Sequence, residues 1–134
     1  MKDVLNQRIK HRESFRPFAP SVLEECAGEY FEHSNPSPFM SFIYRIRDDK
    51  KSLIPAVCHV DQTARLQTVN KNANPLYWKL INSFKDITGV AVLLNTSFNE
   101  NEPIVCSPEE AIGCFLRTKM DLLIINSYII SKQQ

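Results

Sequence analysis

Glycine is scarce in this 134-residue sequence: only Gly28, Gly89 and Gly113 occur, and none of them belongs to a Gly-x-Gly or Walker arrangement. The backbone loops that cradle phosphate groups depend on closely spaced glycines. A glycine-rich phosphate loop is therefore excluded by composition. If the protein binds phosphate or another small anion, its side chains must provide the contacts.

Charge of one sign, paired cysteines and long apolar runs are also missing. The net charge is +1, so no overall field favours nucleic acid or an anionic membrane. The N-terminal segment lacks the apolar core of a signal peptide, and no apolar run approaches the roughly 18 residues of a membrane span. We therefore expect a cytoplasmic protein that does not bind membranes and has little affinity for nucleic acid.

The cysteines and histidines lack the spacing of a metal site. No C-x-x-C pair is present, and the three histidines, His11, His33 and His59, are widely separated. We expect no tightly bound metal, and we interpret the cysteines as reduced core thiols. They are Cys26, Cys58, Cys106 and Cys114.

What is present suits a single α/β domain, residues 1–134, because a hydrophobic content of 43% is enough for one core. Asn74 and Pro75 begin a helix that Gly89 ends. Its apolar residues recur at helical spacing, at Tyr77, Leu80, Ile81, Phe84 and Ile87.

A second helix follows a capping box formed by Ser107 and Glu110. We expect it to bury Ala111, Ile112, Phe115 and Leu116.

The remaining elements are shorter. Short helices are expected at residues 3–10 and 24–31, and strands at residues 21–23, 39–46 and 90–94, the last buried on both faces. Apolar stretches at 53–59 and 65–69 read as two strands joined by a polar bend, and Asn126-Ser127 turns a hairpin of residues 122–125 and 128–130. The predicted fold is a mixed β-sheet with helices packed on it.

Three segments carry side chains suited to a small anion. The first is a basic stretch, where Lys10, Arg12 and Arg16 fall within seven residues. Arginine provides planar paired donors and lysine a mobile charge, both suited to phosphate or carboxylate. Spacing alone explains this stretch equally well as the solvated end of a helix.

The second segment is Thr96-Ser97-Phe98-Asn99, which follows the predicted strand at 90–94. Ligands of open α/β sheets bind at the carboxyl ends of strands, although such residues also form ordinary turns. The third is the bend between the two apolar stretches, which contains His59, Asp61 and Arg65. A surface salt link explains the bend as well as a binding site does. No serine or cysteine is spaced to be activated as a nucleophile.

Four ordered motifs resemble the C-terminal domain of the O-carbamoyltransferases, the family of the nodulation-factor and antibiotic carbamoyltransferases. The motifs are RIKHRESFRPFAPSVLEE, HVDQTARLQTV, NPLYWKLINSFKDITGVAVLLNTSFNENEPIVCSPEEAI and CFLRTKMDLLIINSYII, which together cover most of the chain. The resemblance implies a YrdC-like fold, a twisted mixed β-sheet with helices packed on it. The TSFN segment is similar to a signature of YrdC-like nucleotide binders.

The resemblance also implies a function. A domain of this kind takes carbamoyl phosphate and ATP, with Mg²⁺ accompanying the ATP, and forms carbamoyladenylate. An actin-like N-terminal half passes the carbamoyl group to a hydroxyl. We expect this half to be absent from the chain, which would then either work with a separate N-terminal subunit or be a fragment. Lys10, Arg65 and Ser97 are then the expected catalytic residues. The expected substrate- and nucleotide-binding set adds Arg12, Arg16, Thr96 and Asn99.

Two positions depart from the family pattern, which has glycine where this chain has Gln62 and Asn101. Both loops are therefore expected to be displaced. Since the actin-like half is expected to be missing, we do not expect complete transfer by this polypeptide alone. The alternative function is a non-catalytic YrdC-like binding or interaction module left after loss of the partner domain. The expected protein partner is either a separate N-terminal subunit or a second copy of this chain.

Overall fold

The computed structural model describes residues 1–132, and the chain separates into two compact units. The central unit is Pro17–Thr96, and the terminal unit combines Met1–Arg16 with the chain from Ser97 onward. We describe each unit by itself. The α/β fold class is confirmed, whereas the count of a single domain stays a prediction.

A three-stranded mixed sheet forms the core of the central unit. Strand β1 (Ala19–Leu23) lies in the middle, parallel to β4 (Gln67–Val69) and antiparallel to β5 (Val92–Asn95). All five residues of β1 are buried, as expected for a strand with a neighbour on both edges.

The long helix of the central unit packs on this sheet. Helix α3 (Pro75–Thr88) begins where the Asn74 side chain accepts a hydrogen bond from the backbone amide of Tyr77, and it ends at Gly89, whose φ of 76° requires glycine. The start and end signals in the sequence therefore predicted this helix correctly. The apolar spacing did not predict its buried face, because Ile81 is fully buried while Leu80 and Ile87 are exposed.

A two-stranded sheet and a short helix complete the central unit. Strands β2 (Ile43–Arg45) and β3 (Thr63–Arg65) pair antiparallel. Helix α2 (Ala27–Tyr30) follows a 3₁₀ turn at Glu24–Cys26.

One strand prediction was wrong here, and another was too long. Residues 53–59 contain a 3₁₀ turn at Pro55–Val57, because proline has no amide to donate to a ladder. Only the end of the segment 39–46 is extended, after a turn in which Met40 has a φ of 56°.

The terminal unit contains helix α1 (Lys2–Arg8), helix α4 (Pro108–Arg117) and a hairpin of β6 (Leu122–Ile125) and β7 (Tyr128–Ser131). The capping box of α4 is confirmed, since Ser107 and Glu110 exchange side-chain to backbone hydrogen bonds at 3.2 Å. The core consists of Ala111, Phe115 and Leu123, joined by partly buried residues. These are Phe98, Val105, Met120, Ile125 and Ile130.

Two details of this unit correct the sequence predictions. Ile112 and Leu116 of α4 are exposed rather than buried. Of the thiols, Cys106 is exposed, so it is not a core cysteine as the sequence suggested, whereas Cys114 is buried. None of the described helices has the length and apolar character needed to cross a bilayer.

Candidate functional site

A buried ammonium group organises the terminal unit. Lys10 follows helix α1 and is only 5% exposed. Its Nζ donates to the backbone oxygens of Ser97 at 2.5 Å and Asn99 at 2.8 Å, and to Asn99 Oδ1 at 3.0 Å. Ser97 Oγ is a fourth acceptor at 3.3 Å. Three of the seven residues predicted from sequence are thus brought together, and we call Lys10, Ser97 and Asn99 the Lys10 cluster.

The cluster fixes the turn that follows Thr96. Ser97 Oγ donates to Asn99 Oδ1 at 2.6 Å, and Asn99 Nδ2 donates to the backbone oxygen of Glu102 at 2.8 Å. Glu102 in turn accepts from Arg117 of α4 at 2.8 Å. Both side-chain polar atoms of Asn99 therefore have partners, and the turn is connected to α4.

The electrostatics of the cluster favour an anion. No salt bridge to Lys10 is present within residues 1–132, so its direct partners are neutral oxygens. Burial lowers the pKa of Lys10, and the charge of Arg12 lowers it further. Two positive charges therefore lie near one another, and an incoming anion would relieve their repulsion.

The charge of the Glu102 carboxylate raises the pKa of Lys10, but this carboxylate pairs with Arg117. Hydrogen bonds from its own backbone amide, and then from the Cys114 thiol and neighbouring amides, hold the pKa of Glu102 at about 2. It stays ionised at neutral pH and pairs with Arg117. A pocket of about 320 Å³ adjoins the cluster through Glu102. It is lined by Glu102, Pro103, Ile104, Val105, Cys106, Glu110 and Arg117.

The segment that carries the other two predicted cations of this unit is held by Asn6 of helix α1. Arg12 Nε donates to Asn6 Oδ1 at 2.8 Å, and Asn6 Nδ2 donates to the backbone oxygen of Arg16 at 3.0 Å. The Arg16 guanidinium pairs with Glu13 at 3.2 Å on the surface. The sequence analysis did not identify Asn6. This asparagine is fully buried in helix α1 and holds the basic stretch through its side-chain hydrogen bonds.

Arg65 and Thr96 belong to the central unit, where both are exposed. Arg65 ends strand β3 opposite Ile43. The bend before it is locally bonded: Asp61 Oδ1 accepts from the Thr63 hydroxyl at 2.6 Å and from the Thr63 amide at 3.1 Å. His59 lies 3.3 Å from the same hydroxyl through Nδ1, and burial lowers the pKa of His59. His59 and Asp61 lie in a turn rather than on one face of a strand.

The two departures from the family pattern have different structural consequences. Gln62 has a φ of 68°, in the left-handed region that glycine adopts without strain. Its side chain compensates by accepting a hydrogen bond from Lys51. Asn101 is not among the described non-glycine residues with positive φ, so its turn needs no glycine.

The central unit also contains an open cleft of about 690 Å³ that sequence reasoning did not indicate. Its charged side chains are largely engaged, since Arg47 pairs with Asp49 at 3.5 Å and Glu32 with Arg45 at 3.8 Å. No sequence motif marks this cleft, because its residues come from helix α2 and from two separate segments. They are Gly28, Phe31, Glu32, His33, Ser34, Arg47, Asp48 and Asp49.

The fold is of the α/β class, and the Lys10 cluster brings a cationic, a hydroxyl and an amide side chain together. The sequence profile described as "Carbamoyltransferase C-terminus" matches residues 1–132, and the chain belongs to this family. The expected resemblance is thereby confirmed.

Similar proteins support the same assignment. The chain is 53% identical over 136 residues to nodulation protein NolNO of Sinorhizobium fredii, which covers 98% of this chain and 20% of the relative. It is 50% identical over 136 residues to nodulation protein NolO of Bradyrhizobium diazoefficiens, and the match covers 98% of this chain and 25% of that protein. An uncharacterized protein of Methanocaldococcus jannaschii is 40% identical over 132 residues, and the match covers 98% of this chain and 26% of that protein. The chain therefore spans about a fifth to a quarter of the length of these curated relatives.

Proposed function

We propose that this carbamoyltransferase C-terminal domain binds carbamoyl phosphate and magnesium-bound ATP and takes part in forming carbamoyladenylate. An actin-like N-terminal part would then transfer the carbamoyl group to a hydroxyl. Carbamoyl phosphate loses its phosphate to water, and a carbamate oxygen displaces pyrophosphate from the α-phosphorus of ATP. Each carbamoyladenylate formed is therefore accompanied by one phosphate and one pyrophosphate.

The observation that carries this proposal is the buried Lys10 ammonium, whose direct partners are neutral oxygens. Both substrates are polyanions, and a preorganised cation without a bound carboxylate is suited to them. Lys10 holds Ser97 in place, and the Ser97 side chain is exposed and available to a ligand. The proposed catalytic residues are Lys10, Ser97 and Arg65, with Arg12, Arg16, Thr96 and Asn99 completing the binding set.

Calorimetry tests the proposal directly. Magnesium-bound ATP is titrated into the folded chain with and without carbamoyl phosphate, and we expect heat for at least one of these ligands. Absence of heat for both, in a protein whose circular dichroism shows it to be folded, would refute the proposal. Pyrophosphate release is then measured with both substrates present.

A matched pair of arginine variants locates the site. Arg65→Gln removes an exposed cation from the proposed set, and we expect ligand binding to weaken about tenfold or more. Arg8→Gln removes an exposed cation that is not in the set and leaves the same net charge. Equal weakening in both variants would mean that only the general charge matters.

A second function is favoured by the outer face of the hairpin. Leu122, Ile124 and Ile129 are 57%, 65% and 70% exposed, and Ile124 pairs directly with Ile129. An exposed aliphatic face of this kind suits a non-catalytic interaction module. The calorimetry distinguishes the two functions, because a module of this kind would bind neither ligand.

A further inference from the structure

Helix α3 of the central unit has two apolar faces, of which only one packs against the rest of the unit. On the inner face Ile81 is fully buried, and Trp78 Nε1 donates to Glu25 Oε1 at 2.8 Å. Lys85, one helical turn after Ile81, donates from Nζ to Cys26 Sγ at 3.2 Å. These contacts attach α3 to the rest of its unit and leave the opposite side in solvent.

The outer face carries a second apolar stripe. Leu76, Leu80 and Ile87 are 79%, 57% and 83% exposed, and Phe84 at the edge is 37% exposed. Leu76, Leu80, Ser83 and Ile87 recur at spacings of four, three and four residues. This is the pattern of a helix that packs against another helix. A solvated amphipathic helix has no need of such a stripe.

The residues beside the stripe are self-complementary. Lys79 and Asp86 lie seven residues apart along one edge, and Tyr77 and Phe84 lie seven apart along the other. When two copies of the helix run antiparallel, each Lys79 meets Asp86 of the second copy, and the aromatic edges face each other. Antiparallel pairing also places Leu80 opposite the small Ser83 of the second copy, so that a large residue packs on a small one.

We infer that α3 is a homodimer interface, in which the Leu76–Ile87 stripes of two copies pack antiparallel about a two-fold axis. Fourteen residues extend only about 21 Å, at 1.5 Å for each residue. The area is below the roughly 800 Å² for each partner of a standard interface, so we expect a dimer that dissociates in the micromolar range or more weakly. This inference goes beyond the proposed function and does not depend on it.

Sedimentation equilibrium of the intact chain tests the interface. Over about a hundredfold range of concentration, we expect the average mass to rise from 15.4 kDa toward twice that value. Leu80→Lys, which changes an exposed residue, should keep the protein monomeric throughout. Val60→Lys is the control, because Val60 is 95% exposed and lies outside α3, and it should dimerise like the original chain.

Charge reversal tests the antiparallel arrangement. Lys79→Glu places two acidic residues together and should weaken the dimer about tenfold, and Lys79→Glu combined with Asp86→Lys should restore it. A chain that remains monomeric at every concentration would overturn the inference and leave the stripe to a different partner. A dimer that persists in Leu80→Lys would also overturn it.

Discussion

The Lys10 cluster and the bend at residues 59–65 are both polar loops, yet they are built in opposite ways. Lys10 reaches acceptors 87 and 89 residues away, and its ammonium is buried. In the bend, the side-chain hydrogen bonds of Thr63 reach residues two and four positions away, and Asp61 and Arg65 are exposed. The cluster therefore joins distant parts of the terminal unit, whereas the side-chain hydrogen bonds of Thr63 stay within the bend.

This difference determines how much free energy of unfolding a substitution should remove. A buried donor that is removed leaves its acceptors without partners, and each unsatisfied group carries a desolvation penalty. An exposed side chain is replaced by water at little cost. Removal of a cation should therefore lower the free energy of unfolding more at position 10 than at position 65.

The largest effect is expected for Lys10→Met. The variant keeps the length of the side chain but leaves the oxygens of Ser97 and Asn99 unpaired, so we expect about 3 kcal/mol loss in the free energy of unfolding. Arg65→Met, the matched change in the bend, should cost about 0.5 kcal/mol or less. Urea unfolding of both variants measures the difference, and equal losses would contradict the comparison.

Asn99→Ala should have the next largest effect. Its amide accepts from Lys10 and Ser97 and donates to Glu102, so truncation removes three hydrogen bonds and should cost about 2 kcal/mol. Asn101→Ala is the control in the same turn, and because Asn101 is exposed it should cost about 0.5 kcal/mol or less. Comparable losses would show that the turn is stabilised by its backbone alone.

Gln62 tests the bend through its backbone. At a φ of 68°, Gln62→Val should lose about 1–2 kcal/mol relative to Gln62→Gly, since a β-branched residue is strained in this region and glycine is not. Both variants lose the contact with Lys51, so the difference between them isolates the backbone term. Equal midpoints of urea unfolding would mean that the bend rearranges.

Local signals account for the part of the fold that the sequence predicted. Asn74-Pro75, Gly89 and the capping box of Ser107 act within a few residues, and each one placed a helix boundary correctly. Asn126, with a φ of 52°, turned the predicted hairpin in the same way. Periodicity did not show which apolar face is buried, because α3 and α4 both have apolar residues on a solvent-facing side.

The candidate site was predictable by residue type but not by role. The basic stretch predicts Lys10 as an anion ligand, and in the structure the donors of Lys10 also hold the turn at Ser97 and Asn99. Asn6 and Glu102 organise the same unit but belong to no recognisable motif, since their partners are remote in sequence or are backbone atoms. Long-range hydrogen bonds leave no periodic signal.

The smallest effect is expected from titration of the two carboxylates. Hydrogen bonds from the Thr63 hydroxyl, and then from the Thr63 amide, hold the pKa of Asp61 below its ordinary 3.8, whereas that of Glu102 lies at about 2 instead of 4.5. Both values are depressed on folding. The stability that each carboxylate contributes is therefore complete above its ordinary pKa and is lost as the pH falls through the folded value.

Thr63→Val separates the two carboxylates. The variant removes the hydroxyl that bonds Asp61, so the titration midpoint of Asp61 should rise toward 3.8. That of Glu102 should stay unchanged, because its donors are the Cys114 thiol and its own and neighbouring amides. Carbon-detected NMR of the side-chain carboxyl groups follows both midpoints in one acid titration. Cys114→Ala is the reciprocal variant and should raise only the midpoint of Glu102. A variant that moved both midpoints would show that the bend and the cluster are electrostatically coupled, which contradicts the local character of the bend.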